Sequence, residues 1–274
     1  MSEGTAGAAA EVVRSWRPPV PGVAEVLHAR FTRHAYPMHV HDTWTVLLVD
    51  EGAVRYDLDR RHRGALGSAV TVLPPHVPHD GRDATGAGFR KRVLYLEPGV
   101  LPGRLAGAAV DEPALADPRL HRAVAALHAT LLRPGEDLEA AERAALLVAG
   151  LRRCLEGREP PPVRRDAPLA ARLRDLLDAH VVEGVALQRA ARELHASPEH
   201  LVRAFRREVG MPPHAYLTAR RVDRARRLLL AGHRAADAAV LAGFHDQPHL
   251  ARHFRRVLGV PPGRFAAGGP RWEA

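Results

Sequence analysis

The 274-residue chain has one cysteine, Cys154, which excludes an intramolecular disulfide and a zinc site caged by cysteines. No apolar run approaches the roughly 20 residues that a membrane-spanning helix requires. Met1 to Ala10 lacks the basic-then-apolar order of a secretory signal, since small residues and Glu3 stand there instead. Lysine is absent from Val163 onward, so every cation of that region with a fixed charge is an arginine. These absences predict a cytoplasmic protein without a membrane partner. The length admits two domains, each with its own core, and the hydrophobic content of 46% is ordinary for a globular chain.

The formal charge of +9 is unevenly placed. Val163 to Ala274 holds 20 Arg against 11 Asp or Glu, whereas Met1 to Pro162 holds 20 basic and 20 acidic residues. A basic region joined to a neutral one is the electrostatic footprint of a nucleic-acid-binding domain with a partner domain. The competing reading is an arginine-coated, solvated face. Charge alone does not decide between them.

Gly157 to Pro168 contains three consecutive prolines among charges and predicts an extended linker that cannot continue a helix. Before it, Thr45–Val49, Val54–Leu58, Ala69–Leu73 and Arg92–Leu96 are β-rich runs separated by Gly, Pro or Asp, which predicts a small barrel or sandwich. After Arg119 the apolar period lengthens. Leu120, Val124, Leu127 and Leu131 share one helix face, and Ala144, Leu147, Leu151 and Leu155 share another. The stretch up to Pro21, rich in Ala, Gly and Pro, reads as an arm, either disordered or ordering on a surface.

The chain also repeats itself. His200-Leu201-Val202-Arg203-Ala204-Phe205-Arg206-Arg207 recurs as His249-Leu250-Ala251-Arg252-His253-Phe254-Arg255-Arg256, and the match runs on through Gly210 and Gly259 to Tyr216 and Phe265 without a gap. In the first copy Leu187, Ala190, Ala191 and Leu194 form a short helix face. A turn at His195-Ala196 follows, Ser197 caps the next helix with Pro198 in its first position, and Gly210 stops it. Leu201, Phe205 and Val209 face inward. In the second copy Ala235 to Ala242 give the short helix, Gly243-Phe244-His245 the turn and Asp246 the cap, with Leu250, Phe254 and Leu258 as the buried stripe. Two helices around a tight turn, the second amphipathic and basic, make a helix-turn-helix. His214 to Ala231 reads as the connecting helix, roughly 27 Å for eighteen residues, which suits two recognition helices in successive major-groove turns.

These residues resemble the AraC/XylS family of bacterial regulators over essentially everything after Pro168. The most specific stretch is Ala242 to Arg256 followed by Gly259-Val260-Pro261-Pro262. The resemblance implies base-facing residues Glu199, Val202 and Arg203, with His200 adjacent, in the first recognition helix. In the second it implies Gln247, Pro248, Ala251 and Arg252. Arg203 and Arg252 suit bidentate contacts to guanine, and Gln247 suits adenine. Arg206, Arg207, Arg255 and Arg256 suit phosphates.

Ala35 to Trp44 and Leu73 to Gly81 resemble the cupin-like effector domain that precedes such DNA-binding units. His39 and His41 sit two apart, on one strand face. The favoured reading is a small-effector pocket lined by His39, His41, Trp44, His79 and Tyr95. A divalent metal on His39, His41 and His79, with His76 as a further candidate, is the less favoured reading. Trp44 and Thr45 stand where metal-dependent cupins usually place a glutamate.

The expected architecture is α+β: an arm over 1–20, a cupin-like barrel with a helix pair over 21–156, a linker over 157–168, and an all-α domain over 169–268 with two helix-turn-helix units joined by a long helix. The expected function is a non-enzymatic, effector-responsive transcription regulator. Its partners would be double-stranded DNA, a small effector, RNA polymerase and a second copy of itself. The helix pair either forms the dimer surface, as the resemblance implies, or covers the barrel. The alternatives are a cupin metalloenzyme with a DNA-binding appendage and a non-specific DNA-binding protein.

Overall fold

A computed structural model describes residues 12–32, 35–59, 61–65, 67–157, 166–258 and 260–267. The chain divides into two units: 1–129 with 143–160, and 130–142 with 161–274.

The strands of the first unit are β1 (Val12–Trp16), β2 (Val23–Phe31), β3 (Tyr36–His39), β4 (Trp44–Glu51), β5 (Val54–Leu58), β6 (Arg61–Ala65), β7 (Val70–Leu73), β8 (His79–Asp83), β9 (Phe89–Leu96) and β10 (Ala114–Leu115). Among the described residues they form a six-stranded sheet, β1-β2-β9-β4-β7-β10, and a four-stranded sheet, β3-β8-β5-β6. This two-sheet arrangement fits the expected cupin-like, strand-rich half of an α+β chain, without closing into a barrel among the described residues. Ala29, Phe31, Leu47, Val49 and Val93 of the larger sheet share one core with Val54, Tyr56 and Leu58 of the smaller.

The alternate residues Trp44, Val46 and Leu48 of β4 are buried too, so the strand is covered on both faces from Trp44 to Val49. That is why it reads as an unbroken hydrophobic run. The helices α1 (Ala106–Asp111), α2 (Pro118–Leu131) and α3 (Asp137–Glu156) follow the strands. His128 of α2 meets His28 of β2, with ring centroids 5.1 Å apart. Burial and the neighbouring His28 pull His128 down to about 2, so its ring is neutral.

Parts of the expected arm and of the expected linker fall among the described residues. Val12–Trp16 pairs with Trp16↔Val26 to Val12↔Arg30 as an edge strand, so that part of the arm belongs to the sheet; 1–11 lie outside the described residues. Of the expected linker, 158–165 also lie outside them, and Ala167 already opens a helix because Asp166 caps it, accepting from the Leu169 N–H at 3.2 Å.

The second unit contains α4 (Ala167–Ala179), α5 (Leu187–Glu193), α6 (Pro198–Val209), α7 (Pro213–Leu230), α8 (Ala235–Leu241), α9 (Gln247–Leu258) and α10 (Pro262–Ala267). The two sequence copies become α5–α6 and α8–α9, with α7 between them. Phe205 packs with Leu173, Leu177, Ala191 and Leu201. Phe254 packs with Val222, Ala238, Ala242 and Leu250. Leu258, expected in the buried stripe, is 37% exposed because α9 ends there. No helix of the described residues is long and apolar enough to cross a membrane.

Candidate functional site

Each recognition helix starts on the cap its sequence predicts. The Ser197 hydroxyl accepts from the His200 N–H at 3.2 Å, and the Asp246 carboxylate accepts from the His249 N–H at 2.6 Å. The turns before them differ in length. His195 at φ +52° and Ala196 lead directly to Ser197, whereas Gly243 at φ +85° is followed by Phe244 and His245 before Asp246. A Cβ on Gly243 would stand 2.3 Å from the Val182 carbonyl oxygen, so only glycine fits this second turn.

The outward faces are polar. Arg206, Arg207, Arg255, Arg256, Gln247 and Pro248 are exposed, and Glu199, His200, Arg203 and Ala251 are half-buried. Val202 is 1% exposed. It belongs to the buried face with Leu201, Ala204 and Phe205, so its assignment as a base reader is corrected: a side chain in the core cannot reach a groove. The two candidate guanine readers are both held by carboxylates. Arg203 pairs with Glu199 one turn back at 2.7 Å, and Arg252 donates to Glu136 at 2.8 Å. Glu136 lies outside the repeat and is missed by sequence reasoning, because nothing local marks a glutamate before a helix as a partner for α9.

In the first unit, His39 and His79 pair across β3 and β8, and the His41 ring turns back toward them from the following loop. The ring centroids are 4.5 to 5.2 Å apart, and the ligating nitrogens lie within 4.8 Å of one another. Two tautomers are fixed. His39 Nδ1 donates to the Pro37 carbonyl at 2.7 Å, and His79 Nδ1 donates to the Val77 carbonyl at 3.0 Å. A carbonyl only accepts, so the neutral rings present bare Nε2 atoms. Burial, then the neighbouring His79 and His39, bring His41 down to about 4, and burial lowers His79. His76 does not join them; it takes φ +63°, and its N–H donates to the His41 carbonyl at 2.7 Å.

Beside this cluster lies a cavity of about 770 Å³ lined by His41 and Tyr95 together with Arg17, Glu25, Asp42 and Glu97. Two of the five expected pocket residues therefore line it, while His39 and His79 stand behind His41. Trp44 is a correction. It is in register with Leu96, and Thr45 is in register with Tyr95, so alternation puts Trp44 on the opposite face of the sheet, wholly buried.

Residues 21–148 match the model of the AraC-like ligand binding domain, and residues 190–268 match that of a helix-turn-helix domain. The chain belongs to the AraC family. It is 36% identical over 73 residues to the uncharacterized HTH-type transcriptional regulator YbfI of Bacillus subtilis (strain 168), 27% of this chain and 26% of that protein. The match thus spans about a quarter of that relative's length. Among solved structures, the C-terminal domain of AraT, a response regulator from Geobacillus stearothermophilus, is 24% identical, covering 39% of this chain and 92% of its own with a TM-score of 0.37. The DNA-binding domain of AdpA, solved with a target DNA, is 29% identical, covering 36% of this chain and 89% of its own with a TM-score of 0.34. The ligand-binding match includes 130–142, which by contacts belong to the helical unit of this AraC-family chain.

Proposed function

We propose that this AraC-family protein is a cytoplasmic, non-enzymatic transcription regulator that binds double-stranded DNA sequence-specifically as a homodimer and responds to a small effector. The observation that carries the reading is the duplicated unit: two capped, amphipathic helices, each with a buried phenylalanine behind it and arginines on its outward face. Arg203, Arg252 and Gln247 read base edges, and Arg206, Arg207, Arg255 and Arg256 neutralise phosphates. The effector occupies the cavity beside His41 and Tyr95. It regulates by binding two DNA-binding arrangements with different affinity, since equal binding shifts nothing.

The test is selection of random-sequence DNA by the full-length protein, followed by footprinting at several salt concentrations. A regulator of this kind protects a defined sequence, and Arg252→Ala relaxes choice at one position by about tenfold or more. Uniform weakening on all DNA would leave only the non-specific binder.

The histidine tautomers favour a second feature of the same domain. With carbonyls behind His39 and His79, the bare nitrogens fit a divalent ion of the zinc class held by His39, His41 and His79. Such an ion supplies a Lewis-acidic point for an anionic group. Metal analysis of the purified protein before and after chelation, read alongside DNA affinity, tests this. A protein free of metal after exposure to zinc removes it.

A further inference from the structure

Glu136 is 5% exposed and lies in the turn between α2 and α3, yet its carboxylate reaches the second recognition helix. Its Oε1 accepts from Arg252 Nη2 at 2.8 Å and from His253 Nε2 at 2.9 Å, and its Oε2 stands 4.0 Å from His249 Nε2. Burial alone would raise this carboxyl, but the bonds from His253 and Arg252 hold it at about 2. It is therefore an anion with two cation or imidazole donors, the class of hydrogen bond that is roughly twice as strong as a neutral one.

Glu136, His249 and His253 have the residue types and the proximity of a metal site, with ligand atoms within 4.8 Å of one another. Their hydrogen bonds say otherwise. His249 Nδ1 accepts from the His245 N–H at 3.2 Å, so the ring carries its proton on Nε2, the nitrogen that faces the carboxylate. The Arg252 guanidinium already supplies the cation. What the cluster organises is an arginine.

The repeat shows what is unusual about this. The first-copy counterpart of His249 is His200, 49 residues earlier, and its Nε2 donates to Asp166 at 3.0 Å. Asp166 also caps α4, the helix that opens this unit. The corresponding cap position, before α7, is Pro212, which has no carboxylate. Both tasks pass to 130–142. Glu142 accepts from the His214 N–H at 2.6 Å and its Nδ1 at 2.8 Å, at the start of α7, whose own Pro212 cap makes no side-chain bond. Glu136 takes the place beside α9. The second helix-turn-helix is thus completed by a segment that the ligand-binding match contains.

We propose that Glu136 is a specificity-determining residue for DNA: a positioning residue that orients the Arg252 guanidinium for one base pair. The proposal rests on the reading of Arg252 as a base reader. Arg252 is 39% exposed, and Glu136 engages one of its nitrogens, which leaves N–H groups of the guanidinium fork to meet a guanine edge. An unrestrained arginine gives up rotamer freedom to make such a contact, and a fixed one gives up less. In the first copy the equivalent Arg203 is held by Glu199 of its own helix, whereas the second reader depends on a residue from outside its helix-turn-helix.

The experiment is random-sequence DNA selection with the full-length protein, comparing wild type, Glu136→Gln, Arg252→Ala, the double variant and His253→Gln. Glu136→Gln is expected to relax preference at a single position by about tenfold, the same position that Arg252→Ala relaxes. It should leave affinity for non-specific DNA and the salt dependence unchanged. The double variant should match Arg252→Ala alone, and His253→Gln, which replaces the imidazole with a neutral amide donor, should keep the preference. Equal loss on specific and non-specific DNA would overturn the proposal in favour of a folding role. Tighter binding would overturn it in favour of competition between Glu136 and DNA. If Glu136→Gln changes no position, the proposal fails alone. If wild type selects no sequence, the DNA-reading assignment fails first and takes the proposal with it.

Discussion

The two helix-turn-helix copies share a core and differ at their edges. Phe205 and Phe254 are both fully buried, at equivalent positions of α6 and α9. The turns, the histidines and the carboxylates around them are unlike. The first copy is closed by Glu199 of its own helix on Arg203 and by Asp166, the cap of the neighbouring α4, on His200. The second has a longer turn, a glycine pressed against Val182, and Glu136 and Glu142 supplied from 130–142. Burial constrained the duplicated interior to stay alike, while the polar periphery was free to diverge in what it contacts.

The largest expected effects test the shared part. Phe205→Ala and Phe254→Ala should each destabilise by about 3–5 kcal/mol, because each leaves a phenyl-sized void among side chains that cannot collapse into it. Denaturant titration of the full chain measures both. A loss below about 1 kcal/mol in one copy alone would break the claim of equivalent cores.

Next comes the turn. Gly243→Ala should cost about 2 kcal/mol or more, combining the left-handed backbone penalty with the clash against the Val182 carbonyl. A neutral result would mean that the turn can shift away from Val182, and the rigid second turn would be a misreading.

A third effect separates the copies by pH. Burial, then the neighbouring His253, brings His249 down to about 4, while Glu136 opposite and Asp246 pull the other way. Its folded value lies below the ordinary 6.5, so the unfolded chain binds the extra proton between pH 6.5 and 4. Stability is therefore full above 6.5 and falls as the pH drops toward 4, on the order of 2 kcal/mol. Hydrogen exchange of α9 against α6 at pH 7 and pH 4.5 should show the second helix loosening more. His249→Gln, which does not titrate, should remove most of that difference; an unchanged profile would assign it to other groups.

Much of this architecture was legible because the signals were local. Runs of β-branched residues marked β4, β5, β7 and β9, and Ser197, Gly210 and Asp246 marked helix ends by their own chemistry. The polar strand β8, His-Asp-Gly-Arg-Asp, carries no β-rich apolar run, and its pairing with β5 is a tertiary outcome. Val202 is placed outward by the family resemblance alone, whereas in this chain it joins Leu201, Ala204 and Phe205 on the buried face of α6. The His39–His41–His79 convergence was visible as spacing, but the carbonyls that fix two of the tautomers were not. Glu136 was invisible for the same reason: its partner Arg252 lies 116 residues away.

The smallest effect bears on the turn of the first copy. His195 holds φ +52°, a left-handed conformation in which a Cβ crowds the following carbonyl, at a cost of roughly 1–2 kcal/mol. Glycine there removes the crowding but adds freedom to the unfolded chain, which gives back part of the gain. His195→Gly should therefore raise stability by about 0.5–1 kcal/mol, readable as a small upward shift of the denaturation midpoint with an unchanged slope. The opposite substitution in the second copy has no such option, because Val182 closes the space that a side chain on Gly243 would need. A stabilised His195→Gly beside a damaged Gly243→Ala would show that the first turn tolerates its strain, whereas the second was built without room for any. A destabilised His195→Gly would mean that the imidazole holds the first turn by a contact of its own, and the two turns would then differ in kind as well as in length.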